Sequence, residues 1–169
     1  MTSRSLSIVV PVYNERQSLG ELHRLVADVC QQQSLSVELL LIDDGSTDDS
    51  WSVIEQLSRD CDWVRGVRLR RNFGKASALA AGFERSTGEF IITMDADLQD
   101  DPREIPQLLS TIDDGFDVVS GWKKIRHDPW HKVLPSRVFN WLISRLTGVR
   151  LHDHNCGLKV YRRAVLGEI

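Results

Sequence analysis

The stretch FIITMDADLQDDP (residues 90–102) places an apolar, β-branched run directly before a group of aspartates. Asp95, Asp97, Asp100 and Asp101 lie within seven positions of one another. A short continuous apolar run of this kind is typical of a buried strand in a parallel sheet. The carboxylates would then lie at the carboxyl end of that strand, which is where open α/β sheets bind their ligands.

Other short apolar or β-branched runs flank this one, and helix-length amphipathic stretches separate them. The predicted strands are LSIVVPV (6–12), VELLLID (37–43), VRGVRL (64–69), FIITMD (90–95) and DVVSGW (117–122). The alternation predicts an α/β fold with a Rossmann-like, mostly parallel sheet and helices on both faces.

Composition favours a single compact domain. With 169 residues, 41% of them hydrophobic, residues 1–169 are expected to form one domain with a sizeable core. The three cysteines contain no CxxC pair, which favours a reducing compartment. No apolar run approaches the roughly 20 residues of a membrane span, and Pro11 interrupts the N-terminal run too early for a signal peptide. We therefore expect a cytoplasmic location.

The aspartates of residues 95–101 have different predicted roles. Asp101 precedes Pro102 and Glu104, a pattern typical of a helix N-cap, a proline at the first helical position and a capping-box acid. Asp100 is predicted to be a solvated turn residue.

Asp95 and Asp97 are two positions apart, so an extended backbone would direct both side chains to one side. Two like charges at one place are stabilised by a divalent cation, and hard oxygen ligands suit Mg²⁺ or Mn²⁺. The alternative is a polar turn whose aspartates cap backbone NH groups.

The end of the first predicted strand reads PVYNE (11–15). It lacks the GxGxxG glycines of a dinucleotide-binding turn, which argues against a dehydrogenase. Tyr13, Asn14 and Glu15 instead offer a ring, an amide and an acid that suit contact with a base or ribose. The alternative for Asn14 is that it caps the following helix.

The second predicted strand ends in IDDGSTDDS (42–50). Ser46 or Thr47 is predicted to start the next helix, and Asp48 and Asp49 suit the positive end of its dipole. Asp43 and Asp44 remain as acceptors for hydrogen bonds from a base or ribose.

The motif RRNFGKAS (70–77) contains a Gly-Lys pair but lacks the remaining residues of a phosphate-binding P-loop. Lys75 is predicted either to contact a phosphate at a helix start or to be a solvated lysine.

Together, six motifs resemble the inverting glycosyltransferases of family 2. Within that family they are similar to the branch of dolichyl-phosphate mannose synthases and bacterial polyprenyl-phosphate glycosyltransferases. The motifs are IVVPVYNE, LLIDDGSTD, RNFGKASALAAGF, TGEFIITMDADLQDDP, DVVSGWKKIRHDP and HDHNCGLKVYRR. The resemblance implies a GT-A nucleotide-diphospho-sugar transferase fold and an activity that transfers a hexose from a nucleoside-diphosphate sugar.

The resemblance also implies a set of donor-site residues. Asp95, Asp97 and Gln99 would hold Mg²⁺ or Mn²⁺ on the donor diphosphate, and Asp97 would act in catalysis there. Such a cation stabilises the charge that develops on the leaving diphosphate. The implied nucleoside pocket comprises Pro11, Tyr13, Glu15 and an acid of the Asp43/Asp44 pair.

Charge divides the chain into two unlike halves, which suggests two kinds of ligand. Residues 1–121 carry a net charge of −10, and residues 122–163 carry +8. We interpret residues 1–121 as the donor and metal half and residues 122–169 as the acceptor and membrane-facing half. The resemblance implies that Lys123, Arg126, Ser136 and Arg137 bind a lipid phosphate.

The segment 121–148 mixes these basic residues with aromatic ones, so it could lie on an anionic bilayer surface. The alternative is an amphipathic helix packed on the sheet. A phosphate acceptor is already charged near neutral pH, since its second pKa is about 6, whereas a sugar hydroxyl needs a base. Asp153 is the predicted catalytic carboxylate, either as that base or as a group that positions the acceptor, with a plain loop aspartate as the alternative.

The sequence thus predicts a metal-dependent enzyme that uses UDP-hexose or GDP-mannose and a polyprenyl phosphate, and that binds no nucleic acid. It would lie peripherally at the inner face of the membrane. Alternatives are a family 2 enzyme with a sugar hydroxyl acceptor and a non-catalytic nucleotide-sugar or lipid-phosphate binding module. The family continues beyond the point where YRRAVLGEI begins a helix, so a truncated catalytic domain is expected.

Overall fold

The computed structural model describes residues 4–121 and 156–166. Its strands are β1 (Ser5–Val12), β2 (Ser36–Asp43), β3 (Val64–Arg68), β4 (Phe90–Thr93), β5 (Val118–Ser120) and β6 (Lys159–Arg162). Its helices are α1 (Leu19–Gln32), α2 (Ser50–Asp60), α3 (Lys75–Arg85), α4 (Ile105–Asp113) and α5 (Arg163–Leu166), with a 3₁₀ turn (Pro102–Glu104) before α4.

Within these residues the strands form one sheet in the order β3-β2-β1-β4-β6-β5. β1 pairs in parallel with β2 and β4, and β2 pairs in parallel with β3. β6 runs antiparallel to both of its neighbours, β4 and β5. The predicted mostly parallel sheet is therefore confirmed, with a single reversed strand near one edge.

Helices cover both faces of the sheet, as the sequence predicts. Successive strand residues point to opposite faces, so Ile8 and Val9 of β1 belong to different cores. Ile8 packs with apolar residues of α1, α2 and α4, whereas Val9 packs with Ala78 of α3. Both residues of β1 are fully buried, and each such side chain contributes roughly 1.5–3 kcal/mol of burial free energy.

The direction of strand addition changes beside β1. The chain adds β2 and then β3 on one side of β1, and α3 then carries it back to β4 on the other side. The carboxyl ends of β1 and β4 therefore flank the point where the strand order reverses. Ligands of open α/β sheets bind at such a point.

Three details differ from the predicted strands. β4 ends at Thr93 and not at residue 95, and β5 spans three residues, Val118–Ser120, of the predicted 117–122. β6 was not predicted, because KVYR is short, carries two charges and lacks the apolar run of a central strand. The predicted helix start in the last residues is confirmed by α5. Over residues 4–121 and 156–166, no helix is both long and apolar enough to span a membrane.

Candidate functional site

A cleft of about 330 Å³ opens at the carboxyl ends of β1, β2 and β4. Seven of the predicted site residues line it: Pro11, Tyr13, Glu15, Asp44, Lys75, Asp95 and Asp97. The sheet order brings these residues together, because the loops after neighbouring parallel strands meet at one edge. Asn72 and Gly74 also line the cleft and were not predicted as site residues.

The two aspartates of the DxD motif lie in a turn and not on the strand. β4 ends at Thr93, so the prediction that an extended backbone aligns Asp95 and Asp97 is wrong. The turn includes Leu98 with a positive φ of 63°, and the Gln99 amide donates to Asp97 Oδ1 over 3.0 Å. The turn-capping alternative therefore holds for one oxygen of Asp97, while both carboxylates still line the cleft.

Asp95 is paired with a cation from another element. Lys75, the first residue of α3, donates its ammonium group to Asp95 Oδ1. Its side chain is about half exposed, so Lys75 is both solvated and ion-paired, and its predicted phosphate contact stays a prediction. The N-terminus of α3 carries positive partial charge, so Lys75 and its helix both contribute positive potential beside the two carboxylates.

Asp44 joins two loops on one wall of the cleft. Its carboxylate is buried and accepts from the amides of Phe73 (2.8 Å) and Gly74 (2.9 Å). Asp43 is completely buried and accepts from the Ser46 amide over 3.0 Å. Among the described residues, Asp44 and not Asp43 lines the cleft. The sequence could not separate the pair, because Asp43 is the last residue of β2 and Asp44 follows it directly.

Asn14 connects the loop after β1 to the loop after β2. Its Oδ1 accepts from the amides of Thr47 (2.8 Å) and Asp48 (3.3 Å), and its backbone has a positive φ of 58°. The N-cap position of α1 is Ser18, so the alternative that Asn14 caps that helix is wrong. Asn14 is exposed and is not among the residues that line the cleft, whereas its neighbours Tyr13 and Glu15 are.

The helix start predicted at Ser46 or Thr47 is also wrong. α2 begins at Ser50, whose amide donates to Asp48 Oδ1 over 2.9 Å. Desolvation tends to raise the pKa of Asp48, but hydrogen bonds from Ser50 and the Arg16 amide outweigh it and lower the pKa. Asp48 therefore stays charged and supports the first turn of α2.

Of the other two aspartates in residues 95–101, Asp101 has the predicted role and Asp100 does not. Asp101 accepts from the Arg103 amide over 3.0 Å at the start of the 3₁₀ turn, as predicted for an N-cap, and the Arg103 side chain lowers the pKa of Asp101. Asp100 was predicted to be solvated but is only 4% exposed. Its Oδ2 accepts from the Asp95 amide over 3.0 Å, so burial and not solvation defines this residue.

The oxygen donors of the cleft fit a hard divalent cation. Asp95 and Asp97 both line it, while Gln99 is exposed at the end of the same turn. No group of three or more His, Cys, Asp or Glu residues that could hold an ion occurs in the parts of the chain described. A cation here would take two carboxylates from the protein and complete its shell with other oxygens. Mg²⁺ and Mn²⁺ sites in nucleotide-using enzymes have this composition, with phosphate oxygens and water as the other ligands.

Some predicted residues lie outside the described ranges. These are Lys123, Arg126, Ser136, Arg137 and Asp153. The amphipathic segment predicted for membrane contact also lies there. Their predicted roles in acceptor binding and catalysis therefore stay predictions.

Asn72 could have been found from the sequence by the rule that located the other site residues. It follows β3, whose carboxyl end lies at the same edge of the sheet, and its Oδ1 accepts from the Gly74 amide over 3.0 Å. The Gly-Lys pair in RRNFGKAS is the part of this motif that resembles a P-loop, so the pattern indicates Lys75 and not Asn72. The sheet order explains the contact between the loops, since β3 is the neighbour of β2 and the loops that follow them lie side by side.

The fold and cleft define the class of protein: an α/β protein with acidic groups at the strand-order reversal of a mostly parallel sheet. Residues 7–169 match the family model for glycosyl transferase family 2, and the chain belongs to that family.

Solved structures share the fold over nearly the whole chain. Glucosyl-3-phosphoglycerate synthase from Mycobacterium tuberculosis, in complex with Mn²⁺, UDP and phosphoglyceric acid, has a TM-score of 0.75 and 20% identity over 96% of this chain and 57% of its own. The same enzyme with Mn²⁺ and UDP-glucose has a TM-score of 0.72 and 21% identity over 98% and 58%. The GT-A fold prediction is confirmed. This chain spans less than two thirds of the length of these proteins.

Proposed function

We propose that this chain is catalytic machinery of an inverting glycosyltransferase that transfers a hexose from UDP-hexose or GDP-mannose to a polyprenyl phosphate. The observation that carries the proposal is one cleft, in a family 2 member, that combines polar groups suited to a nucleoside with a carboxylate pair suited to a cation. The dolichyl or undecaprenyl identity of the acceptor rests on the motif resemblance.

The cleft lining divides into two chemically different parts. Tyr13, Glu15 and Asp44 supply a ring and acceptor oxygens for a base and ribose. Asp95, Asp97 and Lys75 supply the groups suited to a diphosphate and its cation. Structures similar in fold contain UDP and Mn²⁺, which supports the assignment of a nucleoside-diphosphate sugar as donor.

Asp95 and Asp97 would hold Mg²⁺ or Mn²⁺, with Gln99 as a third predicted ligand. When bound, the cation stabilises negative charge on the leaving diphosphate. Lys75 adds a fixed positive charge at the same end of the cleft, where a charged donor favours phosphate oxygens. The buried Asp44 keeps the backbone around Gly74 in place, so the wall that faces the donor is formed before binding.

The acceptor assignment rests on charge and topology. The segment between Gly121 and Cys156 carries seven Lys and Arg residues against two Asp. Its two flanks meet, because the Gly121 amide donates to Leu158 O over 2.9 Å. A basic segment whose C-terminal flank, Gly157, lies against Asp95 suits an acceptor that carries phosphate. Asp153 within it is proposed as a base or a group that positions the acceptor.

Titration with nucleotides tests the donor half of the proposal. UDP and GDP are titrated calorimetrically into the protein with Mn²⁺ and with EDTA. Asp95→Asn and Asp97→Asn should each abolish the Mn²⁺-dependent part of the affinity and leave the fold intact. Asp62→Asn makes the same chemical change at an exposed position away from the cleft and should bind like wild type. Unchanged Mn²⁺-dependent affinity in both cleft variants would leave turn capping as the role of these aspartates.

An acceptor panel tests the other half. The full-length protein is given labelled nucleotide sugars with a polyprenyl phosphate, with phosphoglyceric acid and with sugar hydroxyl acceptors. Transfer to the polyprenyl phosphate supports the proposal. Transfer to another acceptor alone contradicts the lipid assignment, and nucleotide binding without any transfer favours a binding module.

A further inference from the structure

Gly157 lies in direct contact with the carboxylate pair region although it follows Asp95 by 62 residues. A Cβ placed on Gly157 would lie 2.6 Å from Asp95 Cγ and 2.6 Å from Asp95 Oδ2. It would also lie 2.6 Å from Asp100 Oδ2. Carbon atoms do not approach at such distances, so any side chain at this position would displace one of the two carboxylates.

Asp100 fixes the main chain of Asp95 through a hydrogen bond. Its Oδ2 accepts the Asp95 amide over 3.0 Å, while the side chain is almost completely buried. Burial of a carboxylate is unfavourable unless hydrogen bonds compensate it. The hydrogen bond from the Asp95 amide provides part of that compensation for Asp100. The bond spans the turn that contains Asp97 and Leu98, where Leu98 has a left-handed φ of 63°.

Thr93 holds Gly157 from the strand side. Its hydroxyl is buried and donates to Gly157 O over 2.7 Å. The residue after Gly157 is also held, because Leu158 O accepts from the Gly121 amide. Gly157 is thus fixed by Thr93 on one side and touches Asp95 and Asp100 on the other.

These contacts leave the Asp95 carboxylate little freedom. Oδ2 lies against Gly157, and Oδ1 accepts from Lys75 at the cleft. Rotation of the carboxylate away from the cleft would bring it into the Gly157 backbone. The orientation of Asp95 therefore depends on a segment that belongs to the far end of the sequence.

We propose that Asp100, Gly157 and Thr93 are positioning residues that orient Asp95 toward the cation of the donor site. This inference rests on the proposed function, which assigns the cation to Asp95 and Asp97. None of the three needs to touch the cation. They act through Asp95, by fixing its main chain and by restricting its side chain.

The test uses Mn²⁺ and UDP, or GDP where that nucleotide binds wild type more tightly. Affinity is measured calorimetrically with Mn²⁺ and again with EDTA, for Asp100→Ala, Asp100→Asn, Gly157→Ala and Thr93→Val. Loss of residues that orient metal ligands lowers metal affinity by about 10- to 100-fold. We expect a loss of this size for Asp100→Ala and Gly157→Ala with Mn²⁺, a smaller loss for Thr93→Val, and unchanged affinity in EDTA.

Asp100→Asn separates positioning from charge. It keeps an acceptor oxygen for the Asp95 amide and removes the negative charge, so it should restore most of the Mn²⁺-dependent affinity. Asp101→Asn is the matched control, because it removes the neighbouring carboxylate without contact to Asp95. Thermal unfolding of every variant identifies those that fail to fold. If Gly157→Ala fails to fold, Thr93→Val provides a milder change to the same contact.

Three outcomes would overturn the inference. Wild-type Mn²⁺-dependent affinity in Asp100→Ala and Gly157→Ala, with a loss in Asp95→Asn, would show that Asp95 needs no such support. An equal loss in EDTA would show general damage to the cleft. Failure of Asp100→Asn to restore affinity would assign a direct charge effect. If Asp95→Asn itself binds like wild type, the proposed cation site is wrong as well.

Discussion

Lys75 at the start of α3 forms an ion pair with Asp95 in the loop after β4. The helix that crosses the sheet and the loop that follows the next strand therefore meet at one carboxylate. Both side chains are partly exposed, and ion pairs of that kind contribute about 0–1 kcal/mol to stability. The ion pair therefore adds little to folding, and both residues line the cleft that we propose for the donor.

Replacement of Lys75 by Gln should weaken binding of UDP or GDP by about tenfold or more, because a charged hydrogen bond to phosphate contributes roughly 1.5–3 kcal/mol. The free energy of unfolding should change by less than about 1 kcal/mol. Arg70→Gln removes the same charge from an exposed position in the preceding loop and is the control. Equal nucleotide affinity in the two variants would contradict a phosphate contact by Lys75.

Gly45→Ala should destabilise the protein. Gly45 has a φ of 70°, and a Cβ there would lie 2.4 Å from the backbone carbon of Arg71. Strain of this kind amounts to about 1–3 kcal/mol, which urea unfolding can measure. Gly20→Ala in α1 is the control, since a Cβ there meets nothing within 4 Å. A Gly45→Ala protein as stable as wild type would mean that the loop after β2, which contains Gly45, can move away from the loop after β3, which contains Arg71, at little cost in free energy.

Asp44→Asn should reduce nucleotide affinity both with Mn²⁺ and in EDTA. An amide has one acceptor oxygen, so it cannot accept from the Phe73 and Gly74 amides as the carboxylate does. One buried donor left without a partner costs about 1–3 kcal/mol. This pattern differs from that expected for Asp95→Asn, where only the Mn²⁺-dependent part is lost. A loss confined to Mn²⁺ conditions would place Asp44 in the cation site instead.

Acidification should destabilise the protein through His23. Its ring stacks on Trp63 with centroids 4.8 Å apart, Nε2 is buried without a hydrogen bond, and desolvation lowers the pKa of His23 below its usual 6.5. The unfolded chain therefore binds a proton near pH 6.5 that the folded chain does not. Stability should fall as the pH drops from 6.5 through the lowered folded pKa.

The measurement is urea unfolding of wild type and His23→Gln across that range. The unfolding free energy of wild type should fall relative to that of His23→Gln as the pH drops below 6.5. A constant difference would mean that His23 titrates alike in both states.

Neutralisation of Arg126, Lys132 and Arg137 by Gln should reduce co-sedimentation with vesicles that contain anionic lipid. Each basic group near such a surface contributes about 1 kcal/mol, and added salt should weaken wild-type binding because exposed charges are screened over about 8–10 Å. Nucleotide affinity should not change. A triple variant that sediments like wild type at low salt, or that loses nucleotide affinity, would favour a hydroxyl acceptor.

The central strands were predictable because burial on both faces leaves a direct record in the sequence. β1 and β2 were each predicted to within one residue, since nearly every position of IVVPV and LLLID is apolar. β6 lies between two strands but is four residues long and carries Lys159 and Arg162. Its place in the sheet depends on pairing with β4, which no local pattern reports.

Site residues were likewise predictable where their partners are close in sequence, and not where the partners are distant. The role of Asp101 was predictable because its partner, Arg103, is two positions away. The burial of Asp100 was not, because it depends on contact with Gly157. Asn14 was placed at the correct edge of the sheet. Its partners lie in the loop after β2, so its contacts depend on β1 and β2 being neighbours, which the local sequence does not show.

The antiparallel register of β6 against β4 limits how this protein can be recombined. Thr93 pairs with Lys159 and Ile92 with Val160, and a shift of one residue would turn every β6 side chain to the opposite face. Insertions between Cys156 and Arg162 would therefore move Gly157 away from Asp95. A chimera that exchanges residues 122–155 for those of another family member keeps this register, and so tests whether the proposed acceptor segment can be changed without loss of the proposed donor cleft.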